Sequence, residues 1–98
     1  MFVHSVYFWL KRDLSSDDIA AFEKDLNALR EVETVKNAFI GNPAPTDRPI
    51  IDRTYDYALI LEFENKANHD VYQTHAIHDT FVQNNGKHFL KVQIYDVN

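Results

Sequence analysis

The sequence predicts an α+β domain with the element order β-α-β-β-α-β. Runs rich in β-branched and aromatic residues lie at both ends and in the middle of the chain, as expected of strands. Two segments with helical periodicity separate them, and a loop that holds all three prolines divides the second strand from the third. Ninety-eight residues fit one domain, so we expect a single domain over residues 1–98.

The first strand, predicted at residues 2–11, is largely apolar on both of its alternating faces. A single layer of helices covers only one face of a sheet. A chain this short, with seven Phe, five Tyr and one Trp, also has little interior in which to bury large aromatic side chains. We therefore expect a homodimer whose interface is built mainly from the second sheet face and includes residues such as Trp9 or Tyr7.

The other elements follow from periodicity and from helix start and stop signals. Ser15 or Ser16 can cap a first helix, which should end near Val32. Asn65 and Asn68 can both cap a second helical region. The remaining elements are predicted as a strand at 34–40, a loop at 42–53, a strand at 55–64, a helical region from about 65 to 85 and a strand at 88–97.

Composition excludes several classes of function. The net charge is −5 and the ten Lys and Arg are scattered, so no nucleic-acid partner is expected. The absence of cysteine removes disulfides, thiolate metal sites and thiol nucleophiles. No apolar run approaches the roughly 18 residues that cross a bilayer, and no signal peptide is visible, so we expect a cytoplasmic protein with no membrane partner. No glycine-rich phosphate loop or dinucleotide fingerprint is present, and no cofactor is expected.

Reactive side chains are concentrated in the second helical region, where Tyr72, His75, His78 and Asp79 fall within eight residues. On an ideal helix His78 lies near the middle of an apolar arc, so it should point toward the core or a pocket, whereas His75 lies at the margin of the arc. Tyr72 would project about a third of a turn away from His78. The two side chains can meet only if the helix breaks between them.

Such a break would place Tyr72 and His78 in one cavity with His4 of the first strand and Tyr57 of the third. Imidazole, with a pKa of about 6.5, can exchange a proton near neutral pH, and a phenol can hydrogen-bond a carbonyl or an enolate. Proton abstraction next to a carbonyl would suit this pair. The alternative is a core histidine satisfied by backbone groups or water, and spacing alone favours that alternative.

A metal site is not expected. His75 and His78, three residues apart, resemble half of one, with Asp79 or Asp70 as possible oxygen ligands. A catalytic zinc site needs three protein ligands, however, and pairs of histidines at this spacing are common without a metal.

Three segments resemble the Dabb family, the stress-responsive dimeric A/B-barrel domains: HSVYFWLK at the start, YDYALILEFENKANHDVYQTHAIHDTF in the second half and VQIYD at the end. The resemblance covers nearly the whole chain and is most specific at Tyr72, His75 and His78, together with His4 and Asp96. It implies a ferredoxin-like fold, in which two sheets pack as a dimeric α/β-barrel flanked by helices. Family members commonly have proline between the two histidines, whereas this chain has Ala76. Because the resemblance implies that Tyr72 and His78 meet, we predict that the helical region from Asn65 to Asn85 is interrupted between these two residues.

The resemblance implies function less specifically than it implies fold. A plant polyketide-cyclase branch of similar fold uses a histidine and a tyrosine, roles that would fall here on His78 and Tyr72, with His4, Tyr57 and His75 as substrate-binding residues. The leading hypothesis is a homodimer with a small pocket that binds, and can transform, an aromatic or polyketide-like metabolite. One alternative is a non-catalytic binding or structural homodimer. A second is a cofactor-free activity like that of the related antibiotic-biosynthesis monooxygenases.

Overall fold

The computed structural model describes all 98 residues and contains four strands and three α-helices. The strands form one antiparallel sheet in the order β2-β3-β1-β4. The predicted order of elements is confirmed, and the second helical region is divided into two helices. The elements are β1 (Phe2–Leu10), α1 (Ser16–Ala28), β2 (Asn37–Gly41), β3 (Tyr57–Phe63), α2 (Lys66–Gln73), α3 (Ala76–Asn85) and β4 (Phe89–Val97), with short 3₁₀ turns at Leu29–Glu31 and Gly86–His88.

The helices begin at side-chain caps of the kind the sequence predicts. Ser15 Oγ accepts a hydrogen bond from the backbone N–H of Asp18 at 3.0 Å, and the Asp18 carboxylate accepts one from the N–H of Ser15 at 3.3 Å. This reciprocal pair is a capping box, which satisfies two otherwise unpaired backbone donors of α1. Asn65 caps α2 by accepting from the N–H of Asn68 at 2.9 Å. None of the three α-helices combines the length and apolar content needed to cross a bilayer.

The segment between α1 and β2 differs from the prediction. The α-helix ends at Ala28, and the chain continues as a 3₁₀ turn before Val32. The N–H of Val35 then donates to the carbonyl of Val32 at 3.0 Å, which closes a turn where the sequence predicts the start of a strand. As a result β2 begins only at Asn37.

The core lies between one face of the sheet and the three helices. On β1 every second residue is buried. On the neighbouring strand β3, Leu59, Leu61 and Phe63 are buried on the same face of the sheet. An aromatic cluster joins the layers: the Phe8 ring centroid lies 5.5 Å from that of Phe22 on α1 and 5.8 Å from that of Phe81 on α3. The buried strand residues that face the helices are Phe2, His4, Val6, Phe8, Leu10, Leu59, Leu61 and Phe63.

The opposite face of the sheet carries no helix and exposes large apolar side chains. Phe39 of β2 is 67% exposed, and Tyr95 and Val97 of β4 are 58% and 60% exposed. Strand register places these three residues on the same face as Tyr7 and Trp9, both of which are only partly buried. The two apolar faces that the sequence predicts for β1 are therefore present, and the helices cover only one of them.

Leu61→Ala should lower the free energy of unfolding by about 2–5 kcal/mol, because Leu61 is fully buried in a central strand and its truncation leaves a cavity. Urea titrations at one fixed protein concentration would measure the change. Val71→Ala, at a half-exposed position on α2, is the matched control and should change stability by less than about 1 kcal/mol. Equal losses for the two variants would contradict the assigned core.

Candidate active site

The helical region breaks at two residues, Thr74 and His75. The backbone N–H groups of both residues donate to carbonyls three residues earlier, at 3.3 and 3.2 Å, which ends α2. His75 then turns to an extended conformation, with φ −68° and ψ 146°, and its Nδ1 accepts a hydrogen bond from the N–H of Ile77 at 3.0 Å. A new helix starts at Ala76. The predicted interruption between Tyr72 and His78 is confirmed.

The break brings Tyr72 and His78 together. Their ring centroids lie 5.1 Å apart, with 74° between the ring planes. Tyr72 is buried against Phe63, and His78 is half-buried. Both rings line a cavity of about 190 Å³ between the helices and the sheet. The other polar side chains that line it are His4 and Gln73, and its apolar wall includes residues of β1 and β4, among them Val6, Val92 and Ile94.

Gln73 is a neighbour of His78 that the sequence did not single out. Its Nε2 lies 3.3 Å from Nε2 of His78, so the side-chain amide can donate to the unprotonated nitrogen of a neutral imidazole. This contact favours the His78 tautomer that carries its proton on Nδ1. Gln73 is the last residue of α2. The end of α2 therefore both interrupts the helix before His78 and provides the side chain that contacts His78.

His4 enters the cavity from the central strand β1 and is held by a carboxylate. Its Nδ1 donates to Oδ1 of Asp96 at 2.5 Å, and the two residues lie directly opposite each other in the β1–β4 pairing. Because an ionised carboxylate can only accept, Nδ1 carries the proton and Nε2 keeps its lone pair. The His4 ring centroid is 5.8 Å from that of Tyr72 and 4.8 Å from that of His69, the latter contact not having been predicted.

Burial controls the protonation of these groups. It lowers the pKa of His4, and this effect outweighs the opposing influence of the hydrogen bond and charge of Asp96. Burial likewise lowers the pKa of His78, partly opposed by Asp79. The pKa of Tyr72 is raised by burial alone. At neutral pH the site therefore contains two neutral imidazoles that can accept a proton and a phenol that remains a hydrogen-bond donor.

Two of the predicted site residues lie elsewhere. Tyr57 faces the helix side of the sheet but pairs with Phe8, whereas His4 pairs with Leu61, so Tyr57 is four residues, or about 13 Å, farther along β3. Its hydroxyl donates to Glu23 of α1 at 3.0 Å, and burial together with this contact raises the pKa of Tyr57 to about 12. The expectation that Tyr57 lines the same cavity is not met.

His75 is also outside the cavity. Its Nδ1 is used to cap α3, and its Nε2 lies 3.2 Å from the carboxylate of Glu33. Both ring nitrogens of His75 therefore have partners other than a metal, whereas the spacing suggested a half-site formed with His78. The structure instead brings together His4, His69 and Asp96, with one potential ligand atom of each within 4.8 Å of those of the other two.

Comparison with known proteins agrees with this fold. The model of the stress-responsive A/B-barrel domain family, Dabb, matches residues 2–98. A Dabb family protein from Mesorhizobium loti, described as ferredoxin-like, is 24% identical with a TM-score of 0.79, over 99% of this chain and 94% of that chain. No significant match was found among curated protein sequences.

Two further solved structures are similar over nearly the whole chain. The hydroxynitrile lyase from Passiflora edulis is 17% identical with a TM-score of 0.79, over 98% of this chain and 90% of that chain. A dimeric ferredoxin-like protein of unknown function from Thermobifida fusca is 16% identical, also with a TM-score of 0.79, over 98% of this chain and 88% of that chain. At these identities the likeness shows the fold alone, and it confirms the predicted ferredoxin-like class.

Replacing Asp96 with asparagine should lower the pKa of His4 further, because burial would then act without an opposing carboxylate. Histidine ring resonances followed by NMR between pH 4 and 8 would measure this pKa, with His4→Gln used for assignment. Since a lowered folded pKa means that the unfolded state binds more protons, stability should fall as pH drops below about 6.5. A His4 titration midpoint that rises in Asp96→Asn would contradict the assignment.

Proposed function

The chain belongs to the stress-responsive A/B-barrel domain family, and we propose that it binds a small aromatic or polyketide-like metabolite and moves a proton on a carbon next to its carbonyl group. The observation that carries this proposal is the convergence of Tyr72 and His78 on one cavity across a break between two helices. The hydroxynitrile lyase from Passiflora edulis supports it, since that protein of similar fold is an enzyme.

The size and lining of the cavity favour a small, mostly apolar ligand. Its volume is about 190 Å³, and an engineered apolar cavity of about 150 Å³ in another protein holds benzene. A single substituted ring therefore fits. Val92 and Ile94 form an apolar wall on the β4 side, while the polar side chains lie toward β1 and the helix break. This separation suits a ligand with one apolar end and one carbonyl-bearing end.

The proposed reaction uses His78 as the base and Tyr72 as the hydrogen-bond donor. When the substrate displaces the Gln73 amide from Nε2 of His78, that nitrogen takes a proton from the carbon next to the carbonyl. The electron pair of the broken C–H bond forms a C=C bond, and the π pair of the carbonyl moves onto its oxygen to give an enolate. The Tyr72 hydroxyl donates to that oxygen. His78 then returns the proton to the enolate carbon, which restores the C–H bond and the carbonyl group, so the protein ends unchanged. General acid–base assistance of this kind is worth roughly 10²–10⁴-fold in rate.

His4 gives the site a second proton acceptor. The Asp96 carboxylate fixes its tautomer, and the ring lies next to Tyr72 on the wall of the cavity. A base oriented by a buried or half-buried carboxylate is a recurring feature of acid–base sites. We assign His4 a positioning role toward the substrate and reserve proton abstraction for His78, which lies at the helix break.

Replacing His78 with alanine should abolish most of the activity, and Tyr72→Phe should retain more, because the phenyl ring still fills the space and only the hydrogen bond is lost. A panel of aryl ketones and aryl diketones, first ranked by thermal shift, can be followed by NMR for deuterium exchange at the carbon next to the carbonyl in D₂O. We expect His78→Ala to slow exchange by about 10²-fold or more.

Val71→Ala is the control for this experiment, since Val71 lies on α2 but outside the cavity. It should exchange at the wild-type rate. Exchange that is unchanged in His78→Ala would assign the histidine a structural role. Binding without any exchange in the wild-type protein would favour a non-catalytic binding protein.

We further propose that the protein is a homodimer assembled through the helix-free face of the sheet. That face exposes Phe39, Tyr95 and Val97, and a hollow of about 330 Å³ opens on it between the aromatic rings of Tyr7, Trp9, Tyr55 and Tyr95. Exposed large apolar side chains on a sheet face without helices favour association, and the hollow between the rings is also lined by Asp52, Lys91 and Gln93. The similar protein from Thermobifida fusca is described as dimeric.

Sedimentation at micromolar concentration should give twice the chain mass of 11.5 kDa. Tyr95→Lys should weaken self-association by at least about tenfold, because it places a charge in the apolar interface. Val71→Lys, a charge added at a half-exposed position on the helix side, is the matched control and should leave the dimer intact. A wild-type monomer at these concentrations, or equal weakening by both variants, would rule out this interface.

A further inference from the structure

Three potential metal ligands meet where α2 packs against the central strand β1. His4 lies on β1, Asp96 lies opposite it on β4, and His69 lies on α2 with its ring centroid 4.8 Å from that of His4. One ligand atom of each residue lies within 4.8 Å of those of the other two. We propose that these residues bind a divalent transition-metal ion of the Zn²⁺ class. The ligand geometry supports this site whether or not the cavity catalyses proton transfer, although His4 belongs to both.

The first support is a buried nitrogen without a partner. The His69 side chain is only 10% exposed, and its Nε2 is one of two buried side-chain polar atoms that make no hydrogen bond. Phe2 and Phe63 pack against the ring at centroid distances of 4.5 and 5.5 Å. The ring is thus held between aromatic neighbours and cannot readily turn Nε2 toward solvent. A buried unpaired polar atom is unfavourable unless a ligand satisfies it.

The second support for a metal site is the hydrogen bond between Nδ1 of His69 and the carboxylate of Asp70. Nδ1 of His69 donates to Oδ1 of Asp70 at 3.1 Å, and the other oxygen of Asp70 accepts from Lys66 Nζ at 2.8 Å. Because the Asp70 carboxylate accepts, Nδ1 carries the proton and Nε2 presents its lone pair. A metal-binding histidine characteristically donates its remaining ring N–H to a carboxylate in this way, which fixes its tautomer and increases its basicity.

Small movements would complete the site. Donor atoms around tetrahedral zinc lie about 3.3 Å apart, given metal–ligand distances of about 2.0–2.2 Å. His4 Nδ1 and Asp96 Oδ1, now 2.5 Å apart, would separate to admit the ion, and the Nδ1 proton of His4 would move to Nε2. Asp96 can make this movement, since its side chain is 40% exposed. Water would take the fourth position.

The ligand set determines the class of metal. Two imidazoles and one carboxylate suit Zn²⁺ and similar first-row ions, whereas Mg²⁺ and Ca²⁺ prefer sites made of oxygen ligands. Because His4 also lines the cavity, an ion bound here would change His4 Nε2 from a hydrogen-bond acceptor into a donor. The two sites would then be coupled through one imidazole.

Calorimetric titration of the full chain with ZnCl₂ tests the proposal. We expect one Zn²⁺ per chain and no measurable binding of Mg²⁺. His69→Phe keeps an aromatic ring between Phe2 and Phe63 but removes a ligand, and Asp96→Asn removes another at a partly exposed position. Each should weaken Zn²⁺ binding by at least tenfold. His88→Gln is the matched control, because His88 lies at the opposite end of β4 from Asp96, and it should bind as the wild type does.

Two direct readouts identify the ligands. Co²⁺ in place of Zn²⁺ should give the visible absorption bands of a tetrahedral site, and NMR should show Zn²⁺-induced shifts at Nε2 of His69 and Nδ1 of His4. Zn²⁺ binding that is unchanged in both His69→Phe and Asp96→Asn would overturn the proposal and assign the ion to surface histidines. Absence of Zn²⁺ binding to the wild type at millimolar concentration would overturn it as well.

Discussion

The arrangement of the cavity depends on one hydrogen bond, in which the imidazole of His75 accepts from the backbone N–H of Ile77. An α-helix that ran uninterrupted from Lys66 to Asn85 would point Tyr72 and His78 in different directions. The break needs a residue that satisfies an unpaired donor at the new helix start, which is the role of an N-cap. His75 is the N-cap here. Ala76 follows at the first helical position, where proline is favoured in other helices for its fixed backbone angle. The bend therefore forms through side-chain capping.

Periodicity allowed the sequence to predict the two faces of the first and third strands and the apolar stripes of the helices. Spacing predicted the helix break only together with the family resemblance, which implies that Tyr72 and His78 meet. Position along a strand was harder to infer. Tyr57 was expected in the cavity because it lies on the correct face of β3, but strand pairing places it near Phe8, at the other end of the sheet from His4. The alternation of apolar and polar residues repeats every two residues along a strand. It therefore predicts the face on which Tyr57 lies, but not whether Tyr57 lies at the same level of the sheet as the helix break.

The contacts that Asp96 and His69 make with His4 were not predicted, for related reasons. Asp96 reaches His4 only through the β1–β4 register, across 92 positions of sequence. His69 could have been found, because it lies three residues before Tyr72 on α2 and so shares its helix face. His75 was misplaced because a histidine at a helix break has two uses, as a ligand or as a cap, and sequence alone does not separate them. Tyr72 and His78 were placed correctly because their meeting depends on the local geometry of the helix break.

The pairing of β1 with β4 makes the cavity a late product of folding. β1 is a central strand that pairs with β3 on one side and with β4 on the other. β4 carries the carboxylate that orients His4, and it also carries Val92 and Ile94 of the apolar wall. Contacts between such distant segments carry a large loop-closure entropy and form slowly. During synthesis the first strand leaves the ribosome long before its partner exists. Until β4 has been made, His4 has no oriented tautomer and one side of β1 has no neighbouring strand, so the newly made chain has an unpaired strand edge and no complete binding site.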